Sequence, residues 1–456
     1  MIMSNIKLLI DIGSTFTKAV AADVKGKVIL ATAKSPTTVN EGVTIGLKNA
    51  LTKIEKKIGS VEGKEVIACS SAAGGLRMVS IGLVPELSSE AAKRAALGAG
   101  AKIIGHYCHK LTSKEIRRIE ESSPDLILLA GGTDGGNENS IVHNAGLLSQ
   151  SHGTAAIIVA GNKCAYDKIE EIFSASSRTV RFVENVMPEI GKLEVQACRE
   201  AIREVFMQRI VKAKGLDQAK ELVNHVIMPT PVAVLNAAVL LSNGVDGKEG
   251  LGELIVVDVG GATTDVYSIA KGSATRGAVF TRGLPEPFAK RTVEGDLGVR
   301  HNIDTLAEIC AGKGMAVDEK IISLFHSDTG RIPENEEEMA VDVQLACAAV
   351  ETSFERHVGK LETVYGPHGE MLVQVGKDLS EVTTVIGTGG PIAYSSSPEK
   401  ILSGVLADSK NGNLLKPRSA DFYLDENYIL YATGLLAQLD PKAAFEIMKK
   451  GLKRIS

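Results

Sequence analysis

The sequence predicts an α/β protein of two duplicated domains, residues 1–245 and 246–456, with a cleft between them. Two observations carry that fold class. An apolar strand ending in Asp-x-Gly occurs twice, first as Leu8–Asp11 running into Ile12-Gly13-Ser14-Thr15, then as Glu253–Asp258 running into Val259-Gly260-Gly261-Ala262. At similar distances downstream, each half has a further strand that ends in glycines. These are Leu126-Ile-Leu-Leu-Ala-Gly-Gly-Thr-Asp in the first half and Val382-Thr-Thr-Val-Ile-Gly-Thr-Gly-Gly in the second. The same strand and turn order in both halves marks a long-range repeat.

Taken in order, Leu8–Asp11 reads as a buried strand, Thr17–Asp23 as its antiparallel partner and Val28–Lys34 as a third strand. Leu47, Leu51, Ile54 and Ile58 fall at helical spacing and form one apolar stripe. Glu65–Cys69 is the next strand. Ser88 or Ser89 is placed to cap a helix running through Leu97. From Asp125 the pattern becomes strand, glycine turn and helix, repeated through strands at Asp125–Ala130, Ala155–Ala160 and Thr179–Val183. This reads as a parallel α/β layer inserted in the first domain. A long helix is expected over Glu194–Ala213. Pro229 and Pro231 then punctuate the chain, an apolar helix covers Val232–Leu241, and the polar turn Ser242–Gly252 holds the domain boundary.

Composition narrows the function classes. The chain has 456 residues, 44% of them hydrophobic and 23% charged, as a protein with sizeable cores requires. A net charge of −4 argues against a nucleic-acid or anionic-membrane binder driven by bulk charge. Trp is absent and aromatics make up 4%, which disfavours base-stacking platforms. The six cysteines form no CxxC pair, so reduced thiols in a cytoplasmic protein are expected and an iron–sulfur cluster is not. The N-terminus lacks the layout of a signal peptide, and no apolar stretch approaches the ~20 residues needed to span a bilayer.

Three motifs carry chemistry. In Asp11-Ile-Gly-Ser-Thr-Phe-Thr-Lys18, a tight turn at Gly13 exposes backbone amides to phosphate oxygens, and Ser14 and Thr15 add hydroxyls. Asp11 can hold the hydration shell of Mg²⁺, which keeps several waters and takes few carboxylates. Lys18 can neutralise a phosphate. Asp258-Val-Gly-Gly-Ala-Thr-Thr-Asp265 repeats this logic: Gly260 and Gly261 permit close phosphate approach, Thr263 adds a hydroxyl, and Asp258 faces Asp11 around the metal. Asp265 supports either the loop or the attacking water. In Ile386-Gly387-Thr388-Gly389-Gly390-Pro391, three glycines leave a wall on which adenosine can lie flat. Each motif alone also reads as an ordinary glycine turn; the set of three reads as an ATP site. Asp11, Asp258 and Asp265 are the expected catalytic residues, and Asp11 and Asp258 the expected metal-binding pair.

Weaker features are His106 and His109 around Cys108, which lack a third separated ligand group for zinc. Glu294, Asp296 and Arg300 are within reach of a ribose or else open a charged helix. Leu129–Gly136 is either a ligand loop or a mirror of the adenosine loop.

The three motifs, in this order, resemble the two phosphate motifs and the adenosine motif shared by actin, sugar kinases and DnaK-type chaperones. That resemblance implies two actin-like (ribonuclease H-like) domains binding ATP and Mg²⁺. Met228-Pro-Thr-Pro-Val-Ala looks like the superfamily's first connecting helix. The chaperones carry Glu before that proline and this chain carries Thr230, which leaves the catalytic base unassigned. Most of the chain resembles the glutamate mutase accessory proteins of the GlmL/MutL type. The narrower resemblance rests on Ser70-Ser-Ala-Ala-Gly-Gly-Leu-Arg-Met78, Leu129-Ala-Gly-Gly-Thr-Asp-Gly-Gly136 and Arg291-Thr-Val-Glu-Gly-Asp-Leu-Gly298. It implies an ATPase that reactivates an adenosylcobalamin-dependent carbon-skeleton mutase, with mutase subunits as partners and a homo-oligomer left open. A small-molecule kinase of the same superfamily is the alternative.

Overall fold

The computed structural model describes residues 5–13, 15–38, 43–71, 76–213, 225–275, 277, 279–366, 369–408 and 412–456. The chain begins with strands β1 (Ile6–Ile12), β2 (Phe16–Asp23) and β3 (Val28–Pro36), helix α1 (Val43–Ile58) and β4 (Glu65–Ser70). There follow β5 (Arg77–Gly82), α2 (Glu90–Gly98), β6 (Lys102–Cys108), α3 (Ser113–Glu121), β7 (Leu126–Leu129), α4 (Asn139–Gln150) and β8 (Ala156–Val159). Next come α5 (Tyr166–Ser174), β9 (Val180–Phe182), α6 (Gln196–Ala213), β10 (His225–Pro229), α7 (Thr230–Asn243) and the short hairpin β11 (Gly244–Val245) and β12 (Lys248–Glu249). The second half opens with β13 (Leu254–Val259), β14 (Thr264–Ile269), β15 (Val279–Arg282), β16 (Ala289–Glu294), α8 (Ile303–Gly312), α9 (Glu319–Ser327) and α10 (Glu336–His357). It continues through β17 (Lys360–Gly366), β18 (Gly369–Val375), β19 (Thr384–Thr388), α11 (Gly390–Ala393) and α12 (Pro398–Leu402). It closes with β20 (Asp421–Asp425), α13 (Leu430–Leu436), α14 (Pro441–Gly451) and β21 (Leu452–Arg454).

The chain forms two compact units. One comprises Met1–Ala73, Lys214–Arg282 and Glu286–Ser456; the other is Gly74–Ala213 with Gly283–Pro285. The boundary expected at 245/246 falls inside the β11–β12 hairpin.

Two sheets organise the larger unit. The first has the order β10-β4-β1-β2-β3, with β1, β2 and β3 antiparallel and β4 and β10 parallel to β1. The second has the order β16-β14-β13-β19-β20-β21. Here β13, β14 and β16 are antiparallel, while β19 and β20 are parallel to β13. Strand for strand the two sheets are the same, with β21 added to the second. The duplication predicted from the strand-end motifs is therefore a duplication of whole sheets.

The partner expected for the second half's glycine strand needs correction. β19 pairs in parallel with β13, and the equivalent strand beside β1 is β4, not β7. β7 lies in the other unit, paired with β5 and β8. The repeat of Thr388-Gly-Gly is thus the segment after Ser70, whose glycines Gly74 and Gly75 lie outside the described residues.

The two halves share a core. α7 and α13 each follow the last parallel strand of a half, and they pack on each other between the sheets with Leu9, Ile67, Leu254 and Val256. They touch backbone to backbone, because a Cβ on Gly434 would lie 1.8 Å from the Ala233 carbonyl oxygen. A second core, around Ile255, Val257, Phe325, Leu345 and Phe354, fills the outer side of the second sheet under α8, α9 and α10.

The smaller unit is a parallel five-stranded sheet, β6-β5-β7-β8-β9, with helices between successive strands. Its core holds Val79, Ile81, Ile127, Leu129, Ile157 and Val159. The parallel layer was legible from its apolar runs, but β5 and β6 were not expected. Ser89 stands at the N-cap of α2 without a side-chain cap bond. Its hydroxyl bonds His106 Nε2 at 3.0 Å instead, so this helix start is set by a π-helical turn over Pro85–Ser89.

Candidate functional site

The two strand-end hairpins turn towards one another. At the first, the Gly13 amide donates to the Phe16 carbonyl at 3.1 Å, and a Cβ on Gly13 would lie 2.6 Å from that oxygen. The turn therefore tolerates only glycine. At the second, the Gly260 amide donates to Thr263 at 2.9 Å, and the Gly261 carbonyl accepts from the amides of Arg300 and His301. Gly298 closes against this loop: its Cβ would meet the Ala262 carbonyl carbon at 2.3 Å. A Cβ on Gly261 would come within 3.6 Å of Thr15 Oγ1, so the two phosphate-type loops face each other directly. Between and around them lies a cavity of about 720 Å³ lined from both halves.

Asp11 is buried at the floor of this cavity. Its Oδ1 accepts from Thr230 Oγ1 at 2.6 Å and its Oδ2 from Lys18 Nζ at 3.1 Å. Lys18 Nζ also sits 3.6 Å above the Tyr428 ring, a cation–π contact that fixes the ammonium between the halves. Asp258 is half-buried with an edge open to the cavity, and the Tyr428 hydroxyl lies 3.5 Å from its Oδ1. Burial, then the charges of Asp265, Asp11 and Asp425, push its carboxyl up to about 7 against the opposing pull of Lys18. Asp265 is tied down: Arg291 reaches its Oδ1 from Nε at 2.8 Å and from Nη2 at 2.6 Å, while Thr263 Oγ1 donates to its Oδ2 at 3.0 Å.

A model of the family described as MutL protein matches residues 7–452. The chain belongs to the MutL family. A curated relative, Protein MutL from Clostridium tetanomorphum, is 46% identical over 461 residues, covering 98% of this chain and 99% of the relative. Among solved structures, the ethanolamine utilization protein EutJ from Carboxydothermus hydrogenoformans aligns over 96% of this chain and 89% of its own. Its identity is 13% and its TM-score 0.32. A glycerol dehydratase reactivase aligns over 95% and 99% at 10% identity and a TM-score of 0.30.

In this MutL-family chain the structure brings Asp11, Gly13, Thr15, Lys18, Asp258, Gly260, Gly261, Thr263, Asp265 and Gly390 to the cavity wall. Ser14 lies outside the described residues. Gly387 and Gly389 do not reach the wall. A Cβ on Gly387 would strike Ile392 and Leu402 in the core, and one on Gly389 would lie 2.2 Å from the Val259 carbonyl and 2.7 Å from Asp258 Oδ1. With φ at +93°, Gly389 is glycine because β19 passes that close to the second hairpin. Glu294 and Asp296 point to Arg356, at 2.7 and 2.9 Å, rather than to the cavity. Arg300 does line it, paired with Asp342 at 2.6 Å and lying 4.2 Å over the Phe325 ring. His106 is held between Ser80 and Ser89 in the other unit.

Sequence reasoning missed Tyr428, Asp425, Arg331 and Asp342. Asp425 is buried beside the cavity floor and caps α13, accepting from the amides of Ile429 at 2.8 Å and Leu430 at 3.0 Å and from Thr388 Oγ1 at 3.0 Å. Its signal was available: it ends the strand topologically equivalent to β10, after which Thr230 reaches Asp11. Among the described residues no helix is long and apolar enough to cross a membrane.

Proposed function

We propose that the cavity binds Mg-ATP and that its hydrolysis drives reactivation of an adenosylcobalamin-dependent carbon-skeleton mutase of the glutamate mutase type. The observation that carries the ATP reading is the pair of facing hairpins with Asp11 and Asp258 between them. Asp258 has no cationic side chain in contact among the described residues, and its raised pKa reports an anion in need of positive charge. Two carboxylates at one cavity fit a hydrated Mg²⁺, which takes few protein ligands. When bound, that ion supplies neutralisation of phosphate charge.

The chain's own residues do the rest. The amides of Gly261 and Ala262, which have no acceptor among the described residues, point the second loop's donors at phosphate oxygens. Lys18, held by Asp11 and Tyr428, offers its ammonium to the phosphate end. Asp265 holds the loop through Arg291 and Thr263 and keeps its shape during turnover. Ile332, Pro333, Met339 and Val343 give the second half an apolar shelf for the base beside Arg300. The mutase reading rests on family membership. Nucleotide states that differ by ~1–3 kcal/mol in affinity for the mutase suffice to shift it towards a form that releases damaged cofactor.

The test is rescue of an inactivated glutamate mutase. Recovery should require this chain, ATP and fresh adenosylcobalamin together, and a non-hydrolysable ATP analogue should fail. Equal recovery without the chain, or transfer of phosphate to a small-molecule acceptor, overturns the reading in favour of a kinase.

A further inference from the structure

The glycine turn of the smaller unit, Gly131–Gly136, has no part in the cavity described above, and its own surroundings give it a role. In the parallel sheet β6-β5-β7-β8-β9 the strands stand in the spatial order second, first, third, fourth, fifth of that unit. The chain therefore winds one way from β5 to β6 and the other way from β7 onwards. The switch point lies between β5 and β7, and open α/β sheets bind ligands there, outside the carboxyl ends of the strands. The two segments leaving those ends are Leu83–Ser89 and Ala130–Glu138.

These two loops treat their backbone donors differently. In the first, Ser88 Oγ accepts from the amides of Leu83 at 2.9 Å and Val84 at 3.2 Å, so that loop satisfies itself. In the second, Gly131 and Gly132 are buried, yet their consecutive amides meet no acceptor among the described residues. Buried amides are almost always paired. Their conformations are fixed rather than loose. Both φ angles are positive, at +136° and +74°. Asn185 Nδ2 holds the Gly132 carbonyl at 3.0 Å, and Asn162 Oδ1 accepts the Gly135 amide at 3.1 Å. The one acid inside the turn, Asp134, is occupied by Asn185, by the Lys163 amide and by Lys163 Nζ at 3.5 Å. Of the neighbouring acids, Glu138 pairs with Lys168 at 2.7 Å and Glu86 is exposed.

We propose that this turn is a second ligand site, taking a phosphate group, free or as a monoester, on the amides of Gly131 and Gly132. Consecutive amides in a turn form a concave anion seat, and here the seat lies directly after β7, ahead of α4. The site is independent of the ATP reading of the larger unit.

The experiment uses the full chain. Calorimetry with orthophosphate and with a simple alkyl phosphate, each in the presence of saturating Mg-ADP, should show one event per chain that acetate does not produce. Gly132→Ala places a Cβ 2.3 Å from the Asn137 carbonyl and should abolish that event while ATP turnover stays unchanged. Hydrogen exchange of the wild-type chain supplies the readout should that variant fail to fold: phosphate should protect residues 130–137. Asp258→Ala should leave that protection intact, which separates this site from the ATP cavity. Absence of binding at millimolar phosphate, an unchanged event in folded Gly132→Ala, or protection confined to residues elsewhere overturns the proposal.

Discussion

The β1–β2 and β13–β14 hairpins are the same device with opposite electrostatics. Their backbones pair residue for residue: Asp11 stands across from Lys18, and Asp258 stands across from Asp265. In the first half the strand-end acid is therefore neutralised by its own cross-strand neighbour, and Thr230 satisfies its other oxygen. In the second half the equivalent neighbour is another acid, whose charge is taken up by Arg291 from β16, and among the described residues the hydrogen-bond partner of the Asp258 carboxylate is a tyrosine hydroxyl at 3.5 Å. Duplication fixed where the two carboxylates stand. One changed position in each hairpin decides that the second is the one short of positive charge.

The comparison breaks most severely at Arg291. Arg291→Met leaves Asp265 buried beside Asp258 with Thr263 as its hydrogen-bond partner, and unfolding should become easier by about 3–5 kcal/mol. Denaturant titration checks this. Adding Asp265→Asn to Arg291→Met should recover much of the loss, since the damage is an uncompensated charge; a double variant as unstable as the single would refute that account.

Asp258→Asn sharpens it. ATP turnover should fall by about 10²-fold or more, as for loss of a charge-organising group, while the nucleotide-free protein should gain stability. The sign follows from the raised pKa: a carboxyl displaced from 3.8 to about 7 favours the fold below the lower value and loses that contribution as pH rises through the upper one. Without ligand, wild-type stability should decline between about pH 4 and 7. The decline should be flatter in Asp258→Asn, with a gain of about 1–2 kcal/mol at pH 8 once the carboxyl's access to the cavity is allowed for. Thermal melts across that range measure both; parallel pH curves for the two proteins would place the charge strain elsewhere.

The smallest effect belongs to the better-satisfied half. Thr230→Val removes one hydrogen bond to an ionised carboxylate and should cost about 1.5–3 kcal/mol, with turnover less affected than in Asp258→Asn. A larger loss of turnover than in Asp258→Asn would reverse the assignment of the more demanding half.

Local sequence carried the two hairpins, because an apolar run, an acid and a glycine turn are all read within eight residues. It did not carry which strand neighbours which. β7 and β4 both end near glycines, and only long-range pairing puts β4 beside β1 and β7 in another sheet. The packing role of Gly389 was illegible for a related reason: the crowding that demands glycine there comes from Val259, more than a hundred residues away in sequence. Tyr428 and Asp425 carry no motif at all, and they reach the cavity because the second half folds as a copy of the first.

Gly434 and the Ala233 carbonyl touch between equivalent helices of the two halves, α13 and α7. In a true two-fold dimer, any ligand lacking that symmetry could enter in two orientations of equal energy. Joining the halves in one chain allowed Lys18 and Asp265 to differ at equivalent positions, and that difference lifts the degeneracy. An asymmetric ligand in this cavity then has a head and a tail assigned to it before it arrives.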